Sequence, residues 1–131
     1  MDIRQREEQI GQYEFVQIID IVKRYFDGLY EADTQKLRGI FHPDVYLKAP
    51  SLRRDLENWL EAVANRPIPK EQGQAYQFKI ISIEIVKDQA MVKLDCPLYE
   101  YQYIDYLGLL KENDKWLIVN KMYTDTREHT Q

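Results

Sequence analysis

A chain of 131 residues, 44% hydrophobic and 31% charged, has the composition of one soluble globular domain, long enough to bury about two thirds of its unfolded surface without disulfides or metals. Its formal net charge of −4, from 18 Lys+Arg and 22 Asp+Glu, offers no basic excess to drive general nucleic-acid binding. A single cysteine, Cys96, excludes an intramolecular disulfide and a thiolate metal cluster.

The start, Met1-Asp2-Ile3-Arg4-Gln5-Arg6-Glu7-Glu8, is polar and mixed in charge, without the apolar core of a signal peptide, and no run is long and apolar enough to span a membrane. The chain is therefore expected in the cytoplasm, with residues 1–12 and 124–131 as loose termini. From Tyr13 to Ala32, Phe15, Ile18, Ile19, Val22, Tyr25, Phe26 and Leu29 follow the three-and-four spacing of an amphipathic helix. Asp33 caps a short second helix, Thr34 to Ile40, which the Phe41-His42-Pro43-Asp44 stretch ends. Val45 to Ala49 reads as a short strand. Ser51 is the expected cap of a third helix, with Leu52, Leu56, Trp59, Leu60 and Val63 as its stripe and Arg66-Pro67-Ile68-Pro69 as its stop.

After the polar loop Lys70 to Gln74 the period changes to two, and the rest of the chain reads as strand. A turn at Asp88-Gln89 sets Ile85 opposite Val92, Ile83 opposite Leu94, Ile81 opposite Cys96 and Glu84 opposite Lys93. Pro97, with no amide to donate, is expected to interrupt the ladder, leaving Leu98 to Gln102 as a connection. A two-residue turn at Asn113-Asp114 pairs Leu109 with Ile118, Leu107 with Asn120 and Asp105 with Met122 on one face. Gly108, Leu110, Leu117, Val119, Tyr106 and Lys121 fall on the other. Both faces are largely apolar near the turn. One cover comes from the helices, and the other is expected from a second copy of the chain, so the sheet should enclose a cavity.

The order of these elements, together with Tyr25-Phe26-Asp27-Gly28-Leu29-Tyr30-Glu31-Ala32-Asp33 running to Phe41-His42-Pro43-Asp44, and Asp105-Tyr106-Leu107 followed by Trp116-Leu117-Ile118-Val119-Asn120-Lys121, resembles the nuclear transport factor 2-like superfamily. Within it the chain looks like the polyketide-cyclase-like (SnoaL-like) branch, and particularly the group labelled putative lumazine-binding. The resemblance implies an α+β, cystatin-like cone: three N-terminal helices packed on a strongly curved, mainly antiparallel sheet. It also implies Tyr25 and Asp105 as the counterparts of the helix tyrosine and one buried acid of the steroid-isomerase-like members. The first strand carries no acid to match their proton-moving base, and His42 and His129 are too few and too scattered for the paired histidines of the dehydratase-like members.

Asp105 is the leading catalytic candidate, because a carboxylate on the inward face of an apolar strand suits proton transfer. Asn120, nearly opposite, is placed to orient a ligand carbonyl. Tyr99, Tyr101 and Tyr103 share the parity of Asp105 and are candidates for the cavity mouth, with packing as their ordinary alternative. Trp59 and Trp116 lie on core stripes, and Trp59 is kept as a ligand contact. His42, between Phe41 and Pro43, is either a ligand contact or a residue that caps the short helix or stays at the surface. Cys96 reads as a small buried filler, and Lys121 as an interface or solvated residue. No Gly-rich phosphate loop, zinc pair, calcium loop or hydrolase elbow is present, so neither cofactor nor metal is expected. The expected function is binding of a small apolar, aromatic or polycyclic molecule by a homodimer joined through the outer sheet face. A cofactor-independent isomerase, cyclase or dehydratase and a protein-interaction module are the alternatives.

Overall fold

The computed structural model describes residues 3–128, and the side chains of all of these except residues 6–10. Of the expected loose tail 124–131, only His129 and the two residues after it lie outside the described residues; Thr124 and Asp125 pair with Ile104 and Tyr103 as the end of the last strand. The first helix, α1 (Ile3–Glu31), begins well before the expected Tyr13. Ile18, Ile21, Val22, Tyr25, Phe26 and Leu29 form its buried stripe, the spacing that keeps one helical face toward a core. Phe15 does not belong to that stripe: it is 43% exposed, and Glu14 takes the inward place at that turn. Glu14 tolerates burial because its carboxylate accepts hydrogen bonds from Lys111 Nζ at 2.6 Å and from the Trp116 indole N–H.

Ala32, at φ 51°, ends α1 in the left-handed conformation, and the Asp33 amide returns to the Gly28 carbonyl at 3.0 Å, closing the helix by a six-residue turn. Asp33 then caps α2 (Thr34–Arg38) as expected, its carboxylate accepting from the Lys36 amide at 3.0 Å. The two helices meet where Gly28 lies under Leu37. A β-carbon on Gly28 would stand 2.6 Å from Leu37 Cγ and Cδ2, and Leu37 is fully buried. Gly28→Ala should therefore destabilise the protein by about 1–2 kcal/mol even though alanine is the better helix former by about 1 kcal/mol. A urea midpoint equal to or above that of the parent would contradict this packing.

β1 (Phe41–Ala49) turns through Pro50 and Ser51, the latter at φ 63°, into β2 (Leu52–Asp55). Here the expected helix start is corrected. Leu52 to Asp55 pair antiparallel with Tyr46 to Ala49, and Asp55, not Ser51, caps α3 (Leu56–Asn65) by accepting from the Asn58 amide at 2.8 Å. Leu52 stands four residues before Leu56, so it fits the helical stripe by spacing alone, but Pro50-Ser51 supplies a hairpin turn and the stronger cap lies at Asp55. The stripe of Leu56, Trp59, Leu60 and Val63 is buried as expected.

β3 (Lys79–Val86) and β4 (Gln89–Leu98) form a hairpin whose register differs from expectation. Val86 pairs with Gln89 across a turn at Lys87 and Asp88, Ile85 pairs with Ala90, Ile83 with Val92 and Glu84 with Met91. The slip moves each pairing by two, so Ile83, Ile85, Val92 and Leu94 keep their common face. Ile81 is left unpaired at a bulge and is 49% exposed rather than opposite Cys96. Pro97 does not break the ladder; it pairs with Gln102 inside β4. Pairing with β3 stops at Lys79 and Asp95, so Pro97 lies in a stretch with a neighbour on one side only, where a missing amide is tolerated.

β5 (Tyr101–Glu112) and β6 (Lys115–Asp125) turn at Asn113 and Asp114, both with positive φ, as that two-residue loop requires. Leu109 pairs with Ile118 as expected. Beyond that pair Gly108 meets Asn120, so Val119 is an extra residue on β6. This bulge reverses the parity of everything after it. Lys121 opposes Leu107 and Tyr123 opposes Asp105, both turned to the inner face, whereas Asn120 and Met122 face outward. The placement of Lys121 outside and Asn120 inside is thereby overturned.

The six strands run β2-β1-β6-β5-β4-β3, with β1 and β6 parallel and the remaining pairs antiparallel. The helices cover one face. Between them and the sheet lies a core that includes Leu47, Val92, Leu94, Leu107, Leu109 and Ile118. Met91, Tyr106, Leu110 and Met122 are exposed on the other face. Among the described residues no helix is long and apolar enough to cross a membrane.

Candidate functional site

Buried charge gathers at one end of the core, where the bulge has delivered Lys121. Tyr25 on α1 is fully buried and donates its O–H to Asp105 Oδ2 on β5 at 2.6 Å. Asp105 is 3% and Lys121 4% exposed. Lys121 Nζ sits 4.3 Å from the centre of the Trp59 ring, 4.7 Å from that of Tyr123 and 5.2 Å from that of Tyr25, an aromatic cage around a cation. Cys96 on β4 shares this corner, where burial first and the Asp105 charge second push its thiol well above the usual range. Burial likewise pushes the Tyr25 phenol well up, and Asp105 adds to the shift, so Tyr25 is a proton donor at any ordinary pH.

Asp105, Lys121, Trp59, Tyr123 and Cys96 line a cleft of about 90 Å³, closed by Leu29, Leu98, Tyr103, Arg54 and Arg66, with Tyr25 behind Asp105. Arg54 reaches it from β2, the strand taken for helix, and shares its wall with Tyr123. Arg66 reaches it from the C-terminal cap of α3. Its Nε and one terminal nitrogen are buried without a hydrogen-bond partner. Burying such donors unpaired is costly. The cleft adjoins a wider mouth of about 320 Å³ lined by Pro67, Glu100, Tyr99 and Tyr101, with Arg66, Leu98 and Tyr103 shared by both. Tyr101 stacks on Tyr103 with ring centres 5.4 Å apart, and Tyr103 meets Tyr123 edge-on at 5.6 Å. Tyr99, in the β4–β5 turn at φ 58°, gives its hydroxyl proton to the Pro67 carbonyl and so ties this mouth to the end of α3.

Of the residues expected at a site, Asp105, Trp59 and Tyr103 meet at the cleft, Tyr25 touches it only through its bond to Asp105, and Tyr99 and Tyr101 lie at its mouth. Asn120 faces the opposite side of the sheet, where it accepts from Lys48 Nζ at 3.1 Å. His42 lies away from the cleft, its Nδ1 accepting from the Asp44 amide at 3.2 Å. Lys121, Arg54 and Arg66 are the residues the sequence did not mark. Only Arg66 carried any signal, as a cation beside the helix stop. Among the described residues no three His, Cys, Asp or Glu side chains converge in a way that could hold a metal ion.

Lys121 leaves a measurable trace in stability. Burial first lowers its pKa to about 8 from the usual 10.5; the Asp105 charge works against that, and Arg66 and Arg54 reinforce it. Between these values the unfolded chain binds more protons at this group than the folded one, so the contribution of Lys121 to stability should rise with pH, by about 2 kcal/mol from pH 8 to pH 10. The raised pKa values of Cys96 and Tyr25 act in the opposite sense over the same window, so the measurement is a comparison: in urea unfolding the stability of the parent relative to Lys121→Met should rise by that amount. A constant difference would mean that Nζ is hydrated.

The model of the family described as putative lumazine-binding matches residues 13–124. No curated protein matches the chain. Among solved structures, a nuclear transport factor 2-like protein of unknown function from Shewanella baltica superposes with a TM-score of 0.76 at 21% identity, over 88% of this chain and 96% of that one. One from Silicibacter pomeroyi gives 0.73 at 17%, over 88% and 98%. A putative ketosteroid isomerase from Parabacteroides distasonis gives 0.60 at 19%, over 84% and 86%. At these identities the likenesses show the fold, which is α+β and nuclear transport factor 2-like.

Proposed function

Because the chain belongs to the putative lumazine-binding family, we propose that the inner cleft and its tyrosine-lined mouth bind one small aromatic or polycyclic molecule, held between the helices and a sheet that curves around it as a cone. The observation that carries this reading is that the two hollows are neighbours with a common wall of Arg66, Leu98 and Tyr103. The inner cleft alone, at about 90 Å³, has room for about three waters at roughly 30 Å³ each. The mouth, at about 320 Å³, reaches the lower end of the range for small-molecule sites, roughly 300 Å³. Stacked tyrosines are the surface on which a flat ring packs. Titration with lumazine and a set of bicyclic and polycyclic aromatics, followed by tryptophan fluorescence, tests the reading, since Trp59 lines the cleft. Saturable quenching is expected. No saturable signal from any of them would sink it.

A second reading, a cofactor-independent isomerase with Asp105 moving a proton, draws on the Tyr25–Asp105 hydrogen bond. Tyr25 has one proton and gives it to Asp105, so it cannot also polarise a substrate carbonyl, and binding without turnover is the better supported of the two. Deuterium exchange alpha to the carbonyl of a cyclic ketone, lost in Asp105→Asn, would reverse that preference.

The outer face fits a second copy of the chain, because Met91, Tyr106, Leu110 and Met122, 38–47% exposed, sit on three adjacent strands. Sedimentation equilibrium should give a dimer that Tyr106→Lys with Met122→Lys converts to monomer. A monomeric parent would leave that face to a different protein.

A further inference from the structure

The charges around the inner cleft do not balance. Arg54, Arg66 and Lys121 line it against a single carboxylate, Asp105. Asp105 already accepts from Tyr25, and no carboxylate lies within ion-pair distance of Arg54 or Arg66 among the described residues. A surplus of positive charge in a narrow, largely buried cleft is unfavourable unless an anion enters with the ligand.

The position of the unpaired donors narrows the anion. The two buried nitrogens of Arg66 without partners are Nε and Nη2, the pair whose N–H bonds point in parallel from one edge of the guanidinium. That edge matches the two oxygens of a carboxylate in a bidentate bond. The inner cleft is large enough for such a head group and too small for a ring, and the tyrosines stand at its mouth. Asp105 at the bottom disfavours a dianion. We infer that the ligand is an aromatic carboxylate, its acid group seated on the Nε–Nη2 edge of Arg66 beside Arg54 and Lys121, and its ring system among Tyr99, Tyr101 and Tyr103. This rests on the binding role proposed above and names the chemistry that the site selects.

Calorimetric titration of the parent protein with matched acid and amide pairs, namely 2-naphthoate with 2-naphthamide and quinoline-2-carboxylate with its amide, tests the assignment without any variant. The acids should bind at least 10-fold more tightly than their amides. Arg66→Gln should remove that preference, chiefly by weakening the acids, with its thermal midpoint showing whether the fold is kept. Equal or tighter binding of the amides would overturn the carboxylate assignment and leave aromatic binding standing. Failure of all four compounds to bind would overturn both. Displacement of 2-naphthoate by inorganic phosphate at lower concentration than by benzoate would also overturn it, in favour of a phosphate head group.

Discussion

Asp105→Ala is expected to lower stability by about 3–5 kcal/mol, the range in which one partner of a buried ionic cluster is lost. The substitution removes the one carboxylate lining the cleft, leaving Arg54, Arg66 and Lys121 facing each other. It also takes away the acceptor for Tyr25, whose fully buried hydroxyl has no other hydrogen bond among the described residues. Asp105→Asn keeps an oxygen for Tyr25 and should cost about half as much. The two variants separate charge from hydrogen bonding. Urea midpoints at constant slope measure both, and a loss below about 1 kcal/mol for the alanine variant would show the cluster to be solvated. Lys121→Met should act in the opposite sense. Replacing a buried cation by an apolar chain of similar length removes a desolvation cost, so this variant should be at least as stable as the parent at pH 7.

Insertion of one alanine between Asn120 and Lys121 should be the more damaging change, costing more than about 4 kcal/mol, a size that single changes seldom reach. Val119 is the one extra residue that β6 accommodates, as a bulge; with a further residue beyond it, the segment from Lys121 to Asp125 must either lose its pairing with β1 and β5 or keep it with every side chain reversed. In the reversed state Met122 enters the core, and Lys121 and Tyr123 leave it for the outer face. Acetylation separates the outcomes. Lys121 should be protected in the parent, where it is 4% exposed, and modified in the insertion variant. A variant that folds with parental stability and a protected Lys121 would show that the added residue is absorbed as a second bulge.

The same bulge marks where legibility in the sequence ended. The stripe from Ile18 to Leu29, the Asp33 cap and the Asn113-Asp114 turn each depend on a local rule of spacing or turn chemistry, and each lies where that rule places it. The inward placing of Tyr25 and of Asp105 followed from the helix stripe and from the parity of β5, a strand without an extra residue of its own, and the family resemblance alone implied both as site residues. Parity then failed, because one unpaired valine in a run of apolar residues leaves no compositional mark. Its position is decided by how β6 fits simultaneously against two neighbours. Arg54 was hidden for a related reason. Leu52-Arg53-Arg54-Asp55 satisfies a helical period, and only pairing with β1 turns Arg54 toward the interior while Arg53 stays outside. Residues that act through long-range register are therefore the ones a local pattern misses, and they include both positive groups the sequence left unmarked on strands, Arg54 and Lys121.

The strand order carries a consequence for how the molecule is made. β6 is the last of the six strands to be synthesised, yet it sits between β1 and β5 and is the sole bridge between the first two strands and the hairpins. Until it leaves the ribosome, the nascent chain holds two separate sheet fragments, each with an open edge and an uncovered apolar face. Assembly of the full sheet must wait until β6 has emerged, and during that interval the two open edges are the sites where a chaperone would act.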